Sequence, residues 1–185
     1  MKILSILICA IKEREESLKK LLNKIPKLSK LEIITLFDNG EMTVGEKRNK
    51  LIEKANGKYV CFIDDDDDIS EEYIDTMLKG CESNADCVGM VGIITFSGKN
   101  PRKFIHSIKY NRYFEENEIY YRPPNHLNAI KKELIADIKF PEKNNGEDTD
   151  WAMQVMKSGR LKTEYEVNEV LYHYLFDSEK TATQK

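Results

Sequence analysis

The sequence predicts an α/β fold in a single domain, an open and mainly parallel sheet flanked by helices. Three observations carry that reading. Apolar strand-like runs alternate with helical patterns three times within the first 80 residues, as right-handed βαβ crossovers require. Two of those runs end in aspartate, at the strand ends where open α/β sheets bind ligands. The chain has 185 residues, 41% hydrophobic and 33% charged, enough for one domain with its own core. Residues 1–176 form that domain and 177–185 read as a frayed tail.

Residues 3–11 are a nearly continuous apolar run, as expected for a strand covered on both faces. Leu18, Leu21, Leu22 and Ile25 then recur at helical spacing up to Pro26. The segment LEIITLFDNG is a second strand that stops at Asp38 before an Asn-Gly turn. A helix follows from about residue 44 to 56, with Gly57 expected as its C-terminal cap. KYVCFI is the third strand, running into five consecutive aspartates, residues 64–68. SEEYIDTMLKG is a short helix, with Asp68 and Glu71 spaced as a capping box. Beyond residue 85, CVGMVGIITF, FIHSIKY, EIYYRP and VLYHYLF read as strands. NAIKKELIADI and EDTDWAMQVMKSG read as helices, the second closed by Gly159.

A net charge of −3 argues against a bulk nucleic-acid binder. The four cysteines form no CxxC pair and fit a reduced, cytoplasmic setting. The start, MKILSILICAIKERE, passes straight into a charged helical pattern with no small-residue cleavage site, so it reads as a strand rather than a leader. No run approaches the ~18 apolar residues of a membrane span.

Like charges packed as closely as residues 64–68 repel by about 1 kcal/mol in water and by several times that near a protein interior. A compensating positive charge is expected there. Alternate aspartates share a face if the strand persists, and paired hard oxygen ligands suit Mg²⁺ or Mn²⁺. A solvated acidic loop is the other reading. Arg48 falls on the sheet-facing stripe of the second helix, placed to pair with Asp38 or the aspartate run, or to hold an anionic ligand. Glu147, Asp148 and Asp150 crowd a helix start, where acids cap N–H groups and where one can also serve as a general base. His173 lies in an apolar run, more often a core histidine than a metal ligand. His126 carries less weight.

VGEKRNKLIEKANGKYVCFIDDDDD resembles the nucleotide-sugar segment of family 2 glycosyltransferases with the GT-A fold. In that family a Gly-x-x-Arg-Asn helix leads through a strand to an Asp-x-Asp motif. SILICAIKEREESLKKLL is similar to the family's first strand and helix, EIITLFDNG to its second strand, and GEDTDWAMQVMKSG to its Glu-Asp motif. The resemblance spans about residues 2–175. It implies a Rossmann-like GT-A domain and an inverting, metal-dependent transfer of a sugar from a nucleoside diphosphate to an acceptor hydroxyl. Position by position it implies donor binding by Asp38, Arg48, Asn49, Asp64 and Asp65, with Mn²⁺ or Mg²⁺ held by Asp66 and helped by His173. Asp148 is implied as catalytic base, with Glu147, Asp150, Trp151 and His126 on the acceptor side. The register of the motif stays open between Asp64-x-Asp66 and Asp65-x-Asp67. Ala10-Ile11-Lys12-Glu13 stand where the family has Pro-Thr-Tyr-Asn, so the usual contacts to uracil are missing.

The resemblance implies a glycan or another hydroxyl compound as acceptor. The basic and aromatic stretch of residues 98–113 also admits a DNA base, or is a solvated edge strand. Competing readings are a metal-dependent phosphoryl or nucleotidyl transferase and a non-catalytic nucleotide-sugar-binding protein.

Overall fold

The computed structural model describes residues 1–176, so the expected tail lies outside the described residues. Its first half follows the sequence pattern. β1 (Leu4–Ile11) runs between two parallel neighbours, β2 (Leu31–Asp38) and β3 (Tyr59–Phe62). α1 (Glu15–Lys24) and α2 (Val44–Lys54) make the crossovers. Strand alternation splits the apolar residues between two cores. Ile6, Ile8, Tyr59 and Cys61 enter the core under α1, and Leu7, Val60 and Phe62 enter the one under α2. Ile11 stands opposite Asp38 in the register, so the carboxyl ends of β1 and β2 form one rim.

The second half is less regular. After β4 (Asp68–Ile69) and α3 (Tyr73–Glu82), the expected single strand CVGMVGIITF is divided at Gly89. Its first part, β5 (Cys87–Val88), belongs to the first sheet, and its second part, β6 (Met90–Phe96), to another. β7 (Lys99–His106), β8 (Phe114–Glu116) and β9 (Ile119–Arg122) extend that second sheet. NAIKKELIADI is not one helix. β10 (Ile130–Lys131) inserts antiparallel between β3 and β5, and only α4 (Lys132–Ile135) remains helical. α5 (Glu147–Ser158), β11 (Glu164–Tyr165) and β12 (Tyr172–Phe176) complete the chain. The first sheet has the order β11-β5-β10-β3-β1-β2 and the second β4-β12-β6-β7-β9-β8, both mixed in direction.

Two expected caps are absent. α2 ends at Ala55 in extended conformation, and Gly57 is not left-handed. α3 has no side-chain cap: its N-cap position falls on Glu72, and Asp68, four residues earlier, binds Lys24 Nζ at 2.7 Å. A capping box that sequence reading passed over holds α2: Glu46 N donates to Thr43 Oγ1 at 3.2 Å and Thr43 N to Glu46 Oε2 at 2.8 Å. Gly45 in that first turn is needed for close approach, since a Cβ there would lie 1.9 Å from Pro141 O. The contact brings the start of α2 against the loop that leads into α5, and so Arg48 toward Glu147. Among the described residues no helix is long and apolar enough to cross a membrane.

Candidate active site

The carboxyl ends of β1 and β3, the start of α5, the turn at residues 123–129 and the second sheet enclose a cleft of about 300 Å³. Four consecutive aspartates, 64–67, line it. They do not continue β3 with alternating faces. Asp67 N donates to Asp64 O at 3.2 Å, closing a turn that sends each carboxylate a different way.

Asp64 pairs with Arg48 Nη2 at 3.1 Å and with His126 Nε2 at 3.3 Å. Burial opposes its ionisation, but Arg48 and then His126 outweigh burial and hold the carboxyl below the usual range. Asp65 turns toward β1, accepting from Ile11 N at 3.1 Å and Arg14 Nη1 at 2.9 Å. Asp66 shares that guanidinium at 3.0 Å. Burial pushes its carboxyl up to about 6, Arg14 opposes, and the charges of Asp64 and Asp65 add to the rise. Asp67 is buried under β12, where Tyr172 Oη donates at 2.8 Å and Leu175 N at 2.9 Å. Arg14, Arg48 and Lys24 thus supply much of the positive charge that the acidic run demands.

Arg48 itself is buried, its guanidinium 5.0 Å from the Phe62 ring centre and 5.7 Å from that of Phe140. Its Nε lies 3.3 Å from Glu147 Oε1. Nη1 finds no hydrogen-bond partner among the described residues. Glu147 is buried beside it, its carboxyl raised by burial against the pull of Arg48. Asp148, the next residue on α5, is more open, with Oδ2 3.8 Å from His126 Nδ1. Left-handed Gly146 makes the turn that points both acids into the cleft. Cys9 also lines the cleft, but burial pushes its thiol up to about 12, so it is no nucleophile at neutral pH.

The family model described as Glycosyl transferase family 2 matches residues 30–139, more than half of the chain. The chain belongs to glycosyl transferase family 2. Solved structures agree on the fold. S. aureus TarS 1-349 shares 16% identity over 95% of this chain and 60% of its own, with a TM-score of 0.65. The same protein in complex with UDP gives 17%, 95%, 61% and 0.67, and in complex with UDP-GlcNAc 17%, 95%, 59% and 0.64. This family 2 chain spans about 60% of the length of those TarS chains. No curated protein matches it in sequence. The GT-A architecture expected from the sequence is the one observed.

Of the residues singled out in this family 2 sequence, Arg48, Asp64, Asp65, Asp66, His126, Glu147 and Asp148 come together around the cleft. Others do not. Asp38 reaches the rim but is buried in a pair with Lys47 at 2.8 Å and accepts from Met42 N at 2.9 Å. Asn49 spends its amide on Phe140, donating to its O and accepting from its N, both at 2.9 Å. Trp151 stacks on Phe140 with centroids 4.5 Å apart and donates to Ile138 O, a core residue. Asp150 pairs at the surface with Lys143. His173 is absent from the cleft lining, while its neighbour Tyr174 is present, as alternation along β12 dictates.

Sequence reading missed Arg14, Lys47, Arg122 and Tyr174. Only the first carried a local signal, a charge at the end of the first strand. The acid-free basic stretch meets acids from elsewhere, Arg102 with Glu115 and Lys109 with Glu166. Its Tyr110 packs edge-on against Phe114 and Tyr121.

Proposed function

We propose that the chain is an inverting glycosyltransferase that moves a sugar from a nucleoside diphosphate to a glycan hydroxyl, with Mn²⁺ or Mg²⁺ as cofactor. The observation that carries it is the meeting of Asp66 and Asp148 in one cleft of a family 2 domain. The TarS structures with UDP and UDP-GlcNAc make those the first donors to test.

Among the described residues no three His, Cys, Asp or Glu side chains form a ready-made cage. Asp66 offers a single carboxylate, so an ion held there would complete its shell with phosphate oxygens and water. Asp66 suits the role, because it faces the cleft and its burial is opposed by Arg14 alone among the nearby charges. A bound Mn²⁺ or Mg²⁺ supplies positive charge to the departing diphosphate. Arg14 and Arg48 line the same wall and hold the donor in place. Asp148 accepts the proton of the acceptor hydroxyl, whose oxygen attacks the anomeric carbon opposite the leaving group. The cleft supplies orientation.

The test is a thermal-shift panel of UDP-, GDP-, CDP- and dTDP-sugars with and without Mn²⁺, followed by product analysis. A donor at 100 times its Kd is expected to stabilise the fold by about 2.7 kcal/mol. Release of nucleoside diphosphate marks sugar transfer, and pyrophosphate marks nucleotidyl transfer. Asp148→Asn is expected to lower kcat by about 10²–10⁴ with donor affinity kept. Full turnover in that variant overturns Asp148 as the base.

A further inference from the structure

One of the three histidines stands between the donor-side and acceptor-side acids. His126 places Nε2 3.3 Å from Asp64 Oδ2 and Nδ1 3.8 Å from Asp148 Oδ2, with only 6% of its side chain exposed. Nδ1 has no hydrogen-bond partner among the described residues. The ring is held edge-on to Phe62, and His126 O accepts from Phe62 N at 2.8 Å. Its turn is locked from within. Leu127 N donates to Asn125 Oδ1, Asn125 N to Asn128 Oδ1, and Asn128 Nδ2 to Val88 O. A buried ring nitrogen without a partner, on a rigid turn and aimed at the base, calls for a chemical reason.

We propose that His126 is a positioning residue for Asp148, accepting a hydrogen bond from its carboxyl once that group has taken the acceptor's proton. The inference rests on Asp148 being the base. In the neutral ring, with Nε2–H donated to Asp64, the lone pair sits on Nδ1, and the proposal is made for that tautomer. A lone pair facing an ionised carboxylate forms no hydrogen bond, in keeping with the 3.8 Å gap. During transfer the acceptor O–H bond breaks and its proton passes to Asp148. The acceptor oxygen bonds the anomeric carbon, and the electron pair of the old C–O bond leaves with the nucleoside diphosphate. Protonated Asp148 then closes on Nδ1, a movement of about 1 Å to ordinary hydrogen-bond distance. The contact exists only after proton transfer, so it favours the product side of that step rather than donor binding.

Asn and Gln separate the two ring nitrogens, because an Asn amide reaches the place of Nδ1 and a Gln amide that of Nε2. With the nucleotide sugar that the thermal-shift panel selects, His126→Gln and His126→Ala are expected to lower kcat about 10- to 100-fold at unchanged donor KM. His126→Asn is expected to recover most of that loss. Equal losses in Asn and Gln, or a loss seen only in donor KM, overturn the proposal. A second measurement does not depend on the His126 variants folding: ring ¹⁵N spectra of the wild type and of Asp148→Asn. A shifted Nδ1 resonance for one histidine, with the other two unmoved, supports the contact, and three unmoved histidines sink it. If Asp148→Asn retains turnover, the base assignment fails. If that variant is inactive while His126→Ala is fully active, only the role of His126 fails.

Discussion

Asp86 and the aspartates at residues 65–67 all stand beside strand ends, yet their surroundings treat negative charge in opposite ways. Asp86 is a clasp. Lys131 Nζ donates to it at 2.9 Å, and Lys162 N and Thr163 N at 3.0 Å each, so one carboxylate ties β5 to the segments around β10 and β11. Burial works against that charge, but Lys131 and the two backbone donors outweigh it and bring the carboxyl down to about 2. At three of the four cleft aspartates burial wins instead. Asp65 and Asp67 are raised and Asp66 reaches about 6, although Arg14 lies beside the first and third. An acid with all its lone pairs met stabilises the fold, and a crowd of acids sharing too few partners stores repulsion that a cationic ligand relieves.

The strongest way to break this contrast is to remove the cation that holds the cleft together. Arg48→Ala leaves Glu147 without its cation and Asp64 with His126 alone, and is expected to cost about 3–5 kcal/mol in denaturant unfolding. A loss under 1 kcal/mol means that solvent already screens the cluster. Asp66→Asn probes the opposite sign. Removing a crowded, mostly buried charge is expected to raise ligand-free stability by on the order of 1 kcal/mol while abolishing the Mn²⁺-dependent response to donor. A destabilised Asn variant argues that Asp66 belongs with Asp86 among the structural acids.

Asp86→Asn sharpens the other side. Its folded carboxyl lies near 2, below the usual 3.8, so its stabilisation is present above 3.8 and is lost as pH falls toward 2. At pH 7 the variant is expected to lose on the order of 1 kcal/mol after solvent screening, and the gap to wild type to close below pH 4. A gap that stays constant down to pH 2 shows that the charge does not matter there. The smallest effect belongs to His173→Ala, expected to leave the donor and Mn²⁺ response unchanged because His173 does not line the cleft. Loss of that response restores the histidine as a ligand.

How much was legible follows from which interactions are local. The continuous apolar runs of β1 and β3 marked strands covered on both faces, and Asp64, Asp66, Arg48 and Asp148 stood out by motif order. The Thr43 to Glu46 box was equally legible and went unread. The strand switch at Gly89 and the insertion of β10 left no periodic trace, since two-residue strands carry too few positions to show alternation. Asn49 and Trp151 sat inside attractive motifs, but their spacing could not reveal that Phe140, about 90 and 11 positions away respectively, would claim them.

Hydrophobic period and motif order are properties of neighbouring residues, and they were enough to set out the parallel half of the sheet and the family. The folded arrangement was needed to settle which of five adjacent aspartates met Arg14, Arg48, Lys24 or Tyr172, and that His126 came to lie between Asp64 and Asp148. Those choices depend on partners separated by tens of residues, and on burial, which sets the cost of each charge once the chain has closed around it.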